Sequence, residues 1–191
     1  MKPMDFRFLQ HGFTLVELMV TLAVAAILLA MGVPNFTQVI QNNRMTSAAN
    51  DFLFQLNYAR SEAIKRGRTV TICRSTNGST CNGTTWSGGF LIFADLDGDG
   101  VVDTGEDLLR AGGSLGGMTL NSDNFGTSIQ FASTGLTTGA ATSGHFRFCD
   151  SRGNTFARAV LVSTTGRPQI SKDGNGDGTH ENQNGVNLSC P

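Results

Sequence analysis

The pattern of apolar and polar positions divides the chain into three parts, of which the first is a hydrophobic run. Residues Phe13 to Val33, FTLVELMVTLAVAAILLAMGV, contain a single charged side chain, Glu17. A run of about 20 apolar residues spans the hydrocarbon core of a bilayer as a helix. Lys2 and Arg7 precede the run. The positive-inside rule therefore predicts a cytoplasmic N-terminus and places the rest of the chain across the membrane.

The second part, residues 34–67, carries apolar side chains at steps of three and four, which predicts an amphipathic helix that packs on the rest of the protein. Pro34 predicts a kink where the helix leaves the lipid, because the proline ring removes a backbone hydrogen bond. Arg66 and Gly67 predict the end of the helix. The apolar positions are Met45, Ala48, Ala49, Phe52, Leu56, Ala59 and Ala63.

The third part, residues 68–191, contains short runs of β-forming residues separated by Gly, Asn, Ser and Asp clusters, a pattern typical of antiparallel strands. One long helix followed by many strands predicts an α+β fold in which the helix lies on the sheet. The strand-like runs are Thr69–Cys73, Phe90–Ala94, Met118–Asn121, Ser128–Ala132, His145–Cys149 and Ala159–Ser163.

Composition narrows the class of protein. The chain has 191 residues, a length that fits one domain with a terminal appendage. Its 24 glycines and 15% charged residues favour an extracytoplasmic domain rich in β-structure and turns. The formal net charge of -1 disfavours a strongly basic nucleic-acid-binding protein.

The cysteines indicate disulfides rather than a metal finger, because no two of them stand in a C-x-x-C pair. Local loop closure favours a bond between Cys73 and Cys81, which leaves Cys149 with Cys190. Four cysteines allow three connectivities, and buried free thiols are the alternative. Two disulfides would place the domain in an oxidising compartment.

Glu17 decides how the hydrophobic run is interpreted. A carboxylate at the centre of a membrane helix costs about 2.5–3.5 kcal/mol on insertion scales, so it normally has a partner. A secretory signal cleaved at Ala30-Met31-Gly32 is the alternative. Such signals have hydrophobic regions of about 7–15 residues, however, and this run is longer and contains an acid. The run therefore favours a retained helix whose carboxylate meets a cation.

The segment GFTLVEL, followed by an apolar helix and by VPNF at 33–36, resembles the signal of type IV pilins and type II secretion pseudopilins. The resemblance implies that a prepilin peptidase removes the leader, residues 1–12, by cutting after Gly12. It also implies that the new N-terminus, Phe13, is methylated. The ammonium of Phe13 in a neighbouring subunit would then be the partner of Glu17, so that the carboxylate sets the assembly register.

Three further segments resemble the FimT/GspH group of minor pilins and pseudopilins: ARSEAIKRG at 59–67, FCDSRG at 148–153 and ARAVLVSTTGR at 157–167. The resemblance covers most of the chain and implies an α+β, type IV pilin-like fold. A long N-terminal helix, with a transmembrane half at 13–33 and an amphipathic half at 34–67, would pack on the antiparallel sheet of a periplasmic domain at 68–191. The protein would be a single-pass protein of the inner membrane until it enters a pilus or pseudopilus.

Basic residues cluster near the end of the predicted amphipathic helix, and two interpretations compete. The first is a solvated helix end that complements the helix dipole and pairs with Glu62. The alternative is a nucleic-acid-binding patch. The first interpretation is favoured, and the basic residues are Arg60, Lys65, Arg66 and Arg68.

Residues 95–106, DLDGDGVVDTGE, match the twelve-residue calcium loop, with a glycine at the sharp turn. The flanks are strand-like and not helical, so a metal-free hairpin loop is the alternative. A similar stretch at 173–178 has Asn184 where the loop needs an acid, which predicts a flexible turn. A calcium ion would bind the side chains of Asp95, Asp97, Asp99, Asp103 and Glu106 and the carbonyl of Val101.

The sequence favours a structural subunit over an enzyme. His11, His145 and His180 stand in no metalloprotease or nucleophile pattern. The first hypothesis is a minor pilin that takes part in type IV pilus biogenesis, with other pilins, the prepilin peptidase and the inner membrane as partners. The alternative is a GspH-type pseudopilin of the type II secretion system.

DNA binding in natural transformation is a further hypothesis, of a different class. In some FimT-type proteins a basic Gly-Arg-x-Arg segment contacts DNA, and neutralisation of phosphates requires such clustering. The segment Gly166-Arg167-Pro168-Gln169 keeps the first arginine and has glutamine for the second. Arg158 and Lys172 are the other candidate contacts.

Overall fold

Helix α1 is the longest element and spans Leu15–Arg66. The computed structural model describes residues 12–191, apart from the side chain of Pro34. The leader residues 1–11, with His11, lie outside the described residues. The chain forms two compact units, one that ends at Gln41 and one that comprises Asn42–Pro191, and α1 contributes to both.

The part of α1 in the first unit is apolar and exposed. By length and composition, α1 is the helix of the described residues that could cross a membrane, and its apolar stretch buries nothing within the chain. Leu15, Leu22 and Leu29 are each more than 60% exposed. A helix that is apolar all round needs an apolar environment, which here is lipid or other helices. The helix continues through position 34, and the kink expected there stays a prediction.

The second unit contains nine strands, which form two antiparallel sheets. The first sheet has the order β3-β2-β1-β5-β6 and the second the order β4-β7-β8-β9. The α+β prediction is therefore confirmed, with the sheet divided in two. The strands are β1 Val70–Arg74, β2 Phe90–Ala94, β3 Leu108–Gly112, β4 Thr119–Asp123, β5 Ser128–Phe131, β6 Thr137–Thr138, β7 Gly144–Cys149, β8 Arg158–Val162 and β9 Pro168–Ile170.

Three strands, β3, β6 and β9, were not predicted from the sequence, and all three lie at a sheet edge. Strand β6 is two residues long and carries no periodic signal. Strand β9 begins at Pro168, a residue that disfavours a central strand but is tolerated at an edge, where its missing N–H costs no ladder bond. These edge strands form because each has a neighbouring strand to pair with, and the local sequence does not indicate that neighbour.

The apolar face of α1 predicted from the sequence is buried against both sheets, from Met45 to Ala63. Phe52 lies at its centre, with its ring centroid 4.8 Å from that of Phe146 and 6.1 Å from that of Trp86. Both contacts are edge-to-face, a favourable arrangement of aromatic rings. The helix face and the inner faces of the two sheets therefore share one core.

Both expected disulfides are present in the structure. Cys73 on β1 is bonded to Cys81 in the following loop, with Cα atoms 5.5 Å apart. Cys149 at the end of β7 is bonded to Cys190, with Cα atoms 5.8 Å apart. The second bond attaches the C-terminal tail, residues 172–191, to the second sheet.

We predict that Phe52→Ala lowers the free energy of unfolding by about 3–5 kcal/mol, because it removes a buried ring and leaves a cavity. Phe54→Ala is the matched control, since Phe54 is 55% exposed on the same helix, and its cost should be below about 1 kcal/mol. Urea unfolding of both variants measures the difference. Equal destabilisation would contradict the assignment of Phe52 as the centre of the core.

Candidate functional site

The N-terminus of α1 is capped by Thr14. Its Oγ1 accepts a hydrogen bond from the backbone N–H of Glu17 at 3.2 Å, and its carbonyl accepts the N–H of Leu18 at 3.1 Å. Thr-x-x-Glu is the spacing of a capping box. Thr14 was not among the predicted site residues, although this spacing was present in the sequence to indicate it.

Glu17 thus lies in the first turn of α1, where the helix dipole favours a negative charge. Gly12 and Phe13 precede the helix in non-helical conformation and are exposed. A protease binds its substrate as an accessible, non-helical segment, and the bond between these two residues meets that requirement. The cleavage site between Gly12 and Phe13 stays a prediction, and it lies directly before the first turn of α1, which contains Glu17.

The basic end of α1 is largely engaged in contacts within the protein. Arg66 donates to Glu62 through Nε at 2.8 Å and to Asp107 through Nη1 at 2.8 Å. The Nζ of Lys65 is 3.5 Å from Glu62. The hydrogen bond from Arg66 is the main cause that lowers the pKa of Glu62, and burial acts in the opposite direction. These contacts support the interpretation as a paired helix end.

Arg60 differs from these residues because it joins α1 to two turns of the β-domain. Its Nε donates to the carbonyl of Gly135 at 2.8 Å and its Nη2 to that of Thr165 at 3.4 Å. A Cβ on the adjacent Gly166 would lie 2.0 Å from the carbonyl oxygen of Gly135. The glycine therefore permits the close approach of the two turns.

The segment FCDSRG contributes a clamp centred on Arg152. Its guanidinium donates to Asp150 through Nε at 2.9 Å and Nη2 at 2.7 Å, and through Nη1 to Asn42 at 2.6 Å. The ring centroid of Phe156 is 4.1 Å from its Cζ. Arg152 thus connects the turn after β7 with α1. Its hydrogen bonds lower the pKa of Asp150, against the effect of burial.

The calcium-type loop is organised around the buried carboxylate of Asp95. Its Oδ1 accepts the N–H of Gly98 at 2.7 Å, and its Oδ2 accepts the N–H of Gly100 at 3.1 Å. Thr71 and Gln130 also donate to Oδ2. The two glycines have φ near +80°, a conformation that favours glycine.

Two of the other four acids of the loop, Asp97 and Asp99, converge with Asp95. One carboxylate oxygen each of Asp95, Asp97 and Asp99 lies within 4.8 Å of the other two. Glu106 accepts the N–H groups of Leu96 at 2.7 Å and Asp103 at 2.9 Å through its two oxygens. Each carboxylate oxygen has about two lone-pair sites. The Oδ1 of Asp95 and both oxygens of Glu106 accept one hydrogen bond each and so keep capacity for a metal, whereas the Oδ2 of Asp95 already accepts three. An all-oxygen donor set fits calcium.

The second acidic stretch repeats these hydrogen bonds. Asp173 accepts the N–H groups of Gly176 at 2.7 Å and Gly178 at 2.9 Å. The carboxylate of Glu181 accepts the N–H of Gly174 at 2.8 Å, the position that Glu106 binds in the first loop. The expectation of a flexible turn stays a prediction, and in the structure the acids of this segment accept hydrogen bonds from its own backbone.

The candidate DNA contacts do not form one cluster. Arg167 precedes β9 and Lys172 follows it, and both are exposed. The register of β8 and β9 pairs Val160 with Ile170. Arg158 therefore lies near the end of β9 that Lys172 follows, and Arg167 lies at the other end of this strand. Burial is the main cause that lowers the pKa of Arg158. Arg158 is therefore the least accessible of the three.

Two histidines connect the C-terminal tail with the second sheet. The Nδ1 of His145 is 3.1 Å from Oε1 of Gln183, and its Nε2 is 2.7 Å from Oδ2 of Asp123 without hydrogen-bond geometry. The Nδ1 of His180 is 3.0 Å from the buried hydroxyl of Ser171. Burial is the main cause that lowers the pKa of each histidine.

Comparison with known families agrees with these features. The model of the family described as type II transport protein GspH matches residues 48–166, and that of the prokaryotic N-terminal methylation motif matches residues 7–33. The first match covers more than half of the chain. The chain belongs to the GspH family, whose members are minor pilins and pseudopilins with a structural role.

Several individual proteins resemble the chain. The chain is 31% identical over 101 residues to the pilin-like protein PilA1 of Thermus thermophilus, and this match covers 52% of the chain and 57% of that relative's length. The crystal structure of the type IV minor pilin FimU from Pseudomonas aeruginosa superposes with a TM-score of 0.54 at 24% identity, over 69% of this chain and 91% of that chain. The minor pseudopilin EpsH from Vibrio cholerae gives a TM-score of 0.47 at 12% identity, over 69% of this chain and 99% of that one. The likeness to FimU confirms the pilin-like fold.

We predict that the Arg152 clamp makes stability depend on pH through Asp150. A carboxyl whose pKa is lowered on folding contributes stability above its unfolded pKa, and this contribution disappears as the pH falls through the folded pKa. The wild type should therefore be more stable than Asp150→Asn at pH 6, and the gap should close below about pH 4. Asp51→Asn, at an exposed position, is the control. A gap that stays constant from pH 6 to pH 3 would contradict the role of Asp150.

Proposed function

We propose that the protein is a minor pilin that enters a type IV pilus through helix α1, after a prepilin peptidase has cut its leader at Gly12. Before assembly, α1 anchors the protein in the inner membrane with the β-domain in the periplasm. One observation carries the proposal: the exposed apolar part of α1 has a single charge, Glu17, in its first turn. The match to the N-terminal methylation motif covers this segment.

Cleavage after Gly12 would create the cation that Glu17 needs as a partner. The new α-amino group of Phe13 is a cation at the edge of the membrane segment, and methylation keeps its charge. A buried carboxylate costs several kcal/mol unless it is paired, and a neighbouring helix shifted along its axis brings its own ammonium to Glu17. Assembly is then favoured at the one stagger that pairs the charges.

The pilus is favoured over the type II secretion system by the similarity to a pilin-like protein over 101 residues. The alternative, a GspH-type pseudopilin, shares the anchor, the fold and the family. The two assignments differ in the neighbours of the subunit, because a pilus and a secretion pseudopilus are built from different major subunits. Identification of the neighbours therefore distinguishes them.

Substitutions at Gly12 and Glu17 should separate processing from assembly. Gly12→Val should block cleavage, because it places a branched side chain next to the scissile bond. Glu17→Val should be cleaved normally but lose crosslinks to neighbouring subunits, because the register charge is gone. Thr21→Val, one turn further along α1, is the control and should behave as wild type. The measurements are the mass of the N-terminal peptide and site-specific crosslinking in cells.

Cleavage of Gly12→Val at the wild-type rate, or unchanged crosslinks in Glu17→Val, would contradict the proposal. Crosslinks to subunits of a secretion pseudopilus, in place of pilus subunits, would support the alternative. The family assignment stands in either case, since it depends on residues 48–166.

We also propose that the loop at 95–106 binds calcium. The three converging carboxylates of Asp95, Asp97 and Asp99 support this, together with a buried Asp95 whose carboxylate is already fixed by four donors. The ion would also take Asp103, Glu106 and the carbonyl of Val101 as ligands. It would stabilise the hairpin between β2 and β3.

Isothermal titration should detect one calcium site per molecule, and calcium should raise the melting temperature. Asp97→Asn/Asp99→Asn should remove both effects, because it removes two charged ligands at exposed positions without disturbing Asp95. Asp173→Asn, in the other acidic stretch, is the matched control. If millimolar calcium produces no heat of binding and no shift in the melting temperature, the site is excluded.

DNA capture is a second candidate function, supported by the exposure of Arg167 and Lys172 on either side of β9. If these residues contact phosphates, a mobility-shift assay should show binding that weakens as salt increases. Arg167→Ala should weaken binding at every salt concentration, whereas Arg68→Ala, at an exposed position two residues after the end of α1, should not. Absence of binding at low salt would exclude this function.

A further inference from the structure

The C-terminal tail, residues 172–191, covers the outer face of the second sheet. Side chains alternate along β7 and β8, so that Phe146, Phe148 and Val160 point into the main core while their neighbours point outwards. The outward residues form a separate apolar cluster with the tail. Its members are Cys149, Ala157, Ala159, Leu161, Leu188 and Cys190.

The tail adds no buried residue to the main core, whose buried members run from Met45 to Val162. Within the tail, Glu181 and Leu188 are the buried side chains. The other attachments are polar: the two histidine contacts described above and a hydrogen bond of 2.6 Å from the N–H of Cys190 to Oδ1 of Asn154. Release of the tail would therefore leave the packing of α1 and the two sheets in place.

The covalent attachment can be attacked from one side. Cys149 is 3% exposed, whereas Cys190 is partly exposed. Thiol–disulfide exchange requires access of a thiolate to one of the two sulfurs. Cys190 is the more exposed residue of the pair, so we expect a thiolate to reach its sulfur first.

We propose that Cys190 is a site of thiol–disulfide exchange and that its reduction releases the tail as a strap, which uncovers the outer apolar face of the second sheet. A thiolate of a dithiol reductant attacks Sγ of Cys190, forms a mixed disulfide and releases Cys149 as a thiolate. The second thiolate of the reductant then attacks the reductant sulfur of the mixed disulfide. This step releases Cys190 as a thiolate and oxidises the reductant to its disulfide, and both cysteine thiolates take up protons.

The other disulfide differs in its consequence. Cys73 and Cys81 are separated by 8 residues, while Cys149 and Cys190 are separated by 41. Cleavage of the first bond opens a short loop whose two ends continue into β1 and towards β2. Cleavage of the second leaves residues 172–191 attached to the second sheet by the non-covalent contacts described above alone.

The test is hydrogen exchange measured by mass spectrometry on the full chain in detergent micelles, before and after dithiothreitol. We expect peptides from 173–189 to exchange on the order of tenfold faster after reduction, while peptides from α1 and from β1 to β5 keep their protection. Cys149→Ala/Cys190→Ala should show the fast exchange without reductant. Cys73→Ala/Cys81→Ala is the matched control and should keep the tail protected until reductant is added.

Two outcomes would overturn the proposal. Unchanged protection of the tail after reduction would show that its non-covalent contacts suffice to hold it. Loss of protection across α1 together with the tail would show that the bond stabilises the whole domain. If the double variant does not fold, brief reduction of the folded wild type followed by iodoacetamide decides, because alkylation of Cys190 with intact protection of α1 supports release and loss of that protection refutes it.

Discussion

The packing of one face of α1 against two sheets is the interaction on which the rest of the structure depends. Met45, Phe52 and Ala63 lie on this face and are buried, and the inner strands of both sheets contact it. Before Gln41, the side chains of α1 that the structure describes are all exposed. Helix α1 thus has one part that packs on the two sheets and another part that needs lipid or other helices. The first part is stabilised within the chain, and the second is stabilised only by its surroundings.

The parts of this arrangement that could be predicted from the sequence are those with a periodic or spacing signal. The buried face of α1 was predicted residue by residue, because side chains that repeat every three to four positions must share a side of a helix. The pairing of Cys73 with Cys81 followed from their short separation, and the pairing of Cys149 with Cys190 from what remained. The convergence of Asp95, Asp97 and Asp99 could be predicted in the same way, because these acids alternate along one short loop.

Features that depend on tertiary neighbours were not accessible. Strand β9 begins with a proline and is recognisable only once β8 provides a partner. The division into two sheets, the clamp of Arg152 on Asn42 and the cover of the tail over β8 all join segments that are distant in sequence. Thr14 is the exception, since its capping role was encoded by the spacing to Glu17 and was not used.

The contact between Gly166 and Gly135 changes how the dipeptide Gly166-Arg167 can be used in comparing relatives. The glycine is required because any side chain there would collide with a neighbouring carbonyl, while the arginine beside it is exposed. The two residues therefore answer to different constraints, one to packing and the other to solvent or a ligand. A glycine at this position in a relative indicates that the two turns also pack closely there. Only the basic residues that follow the glycine bear on whether the relative binds nucleic acid.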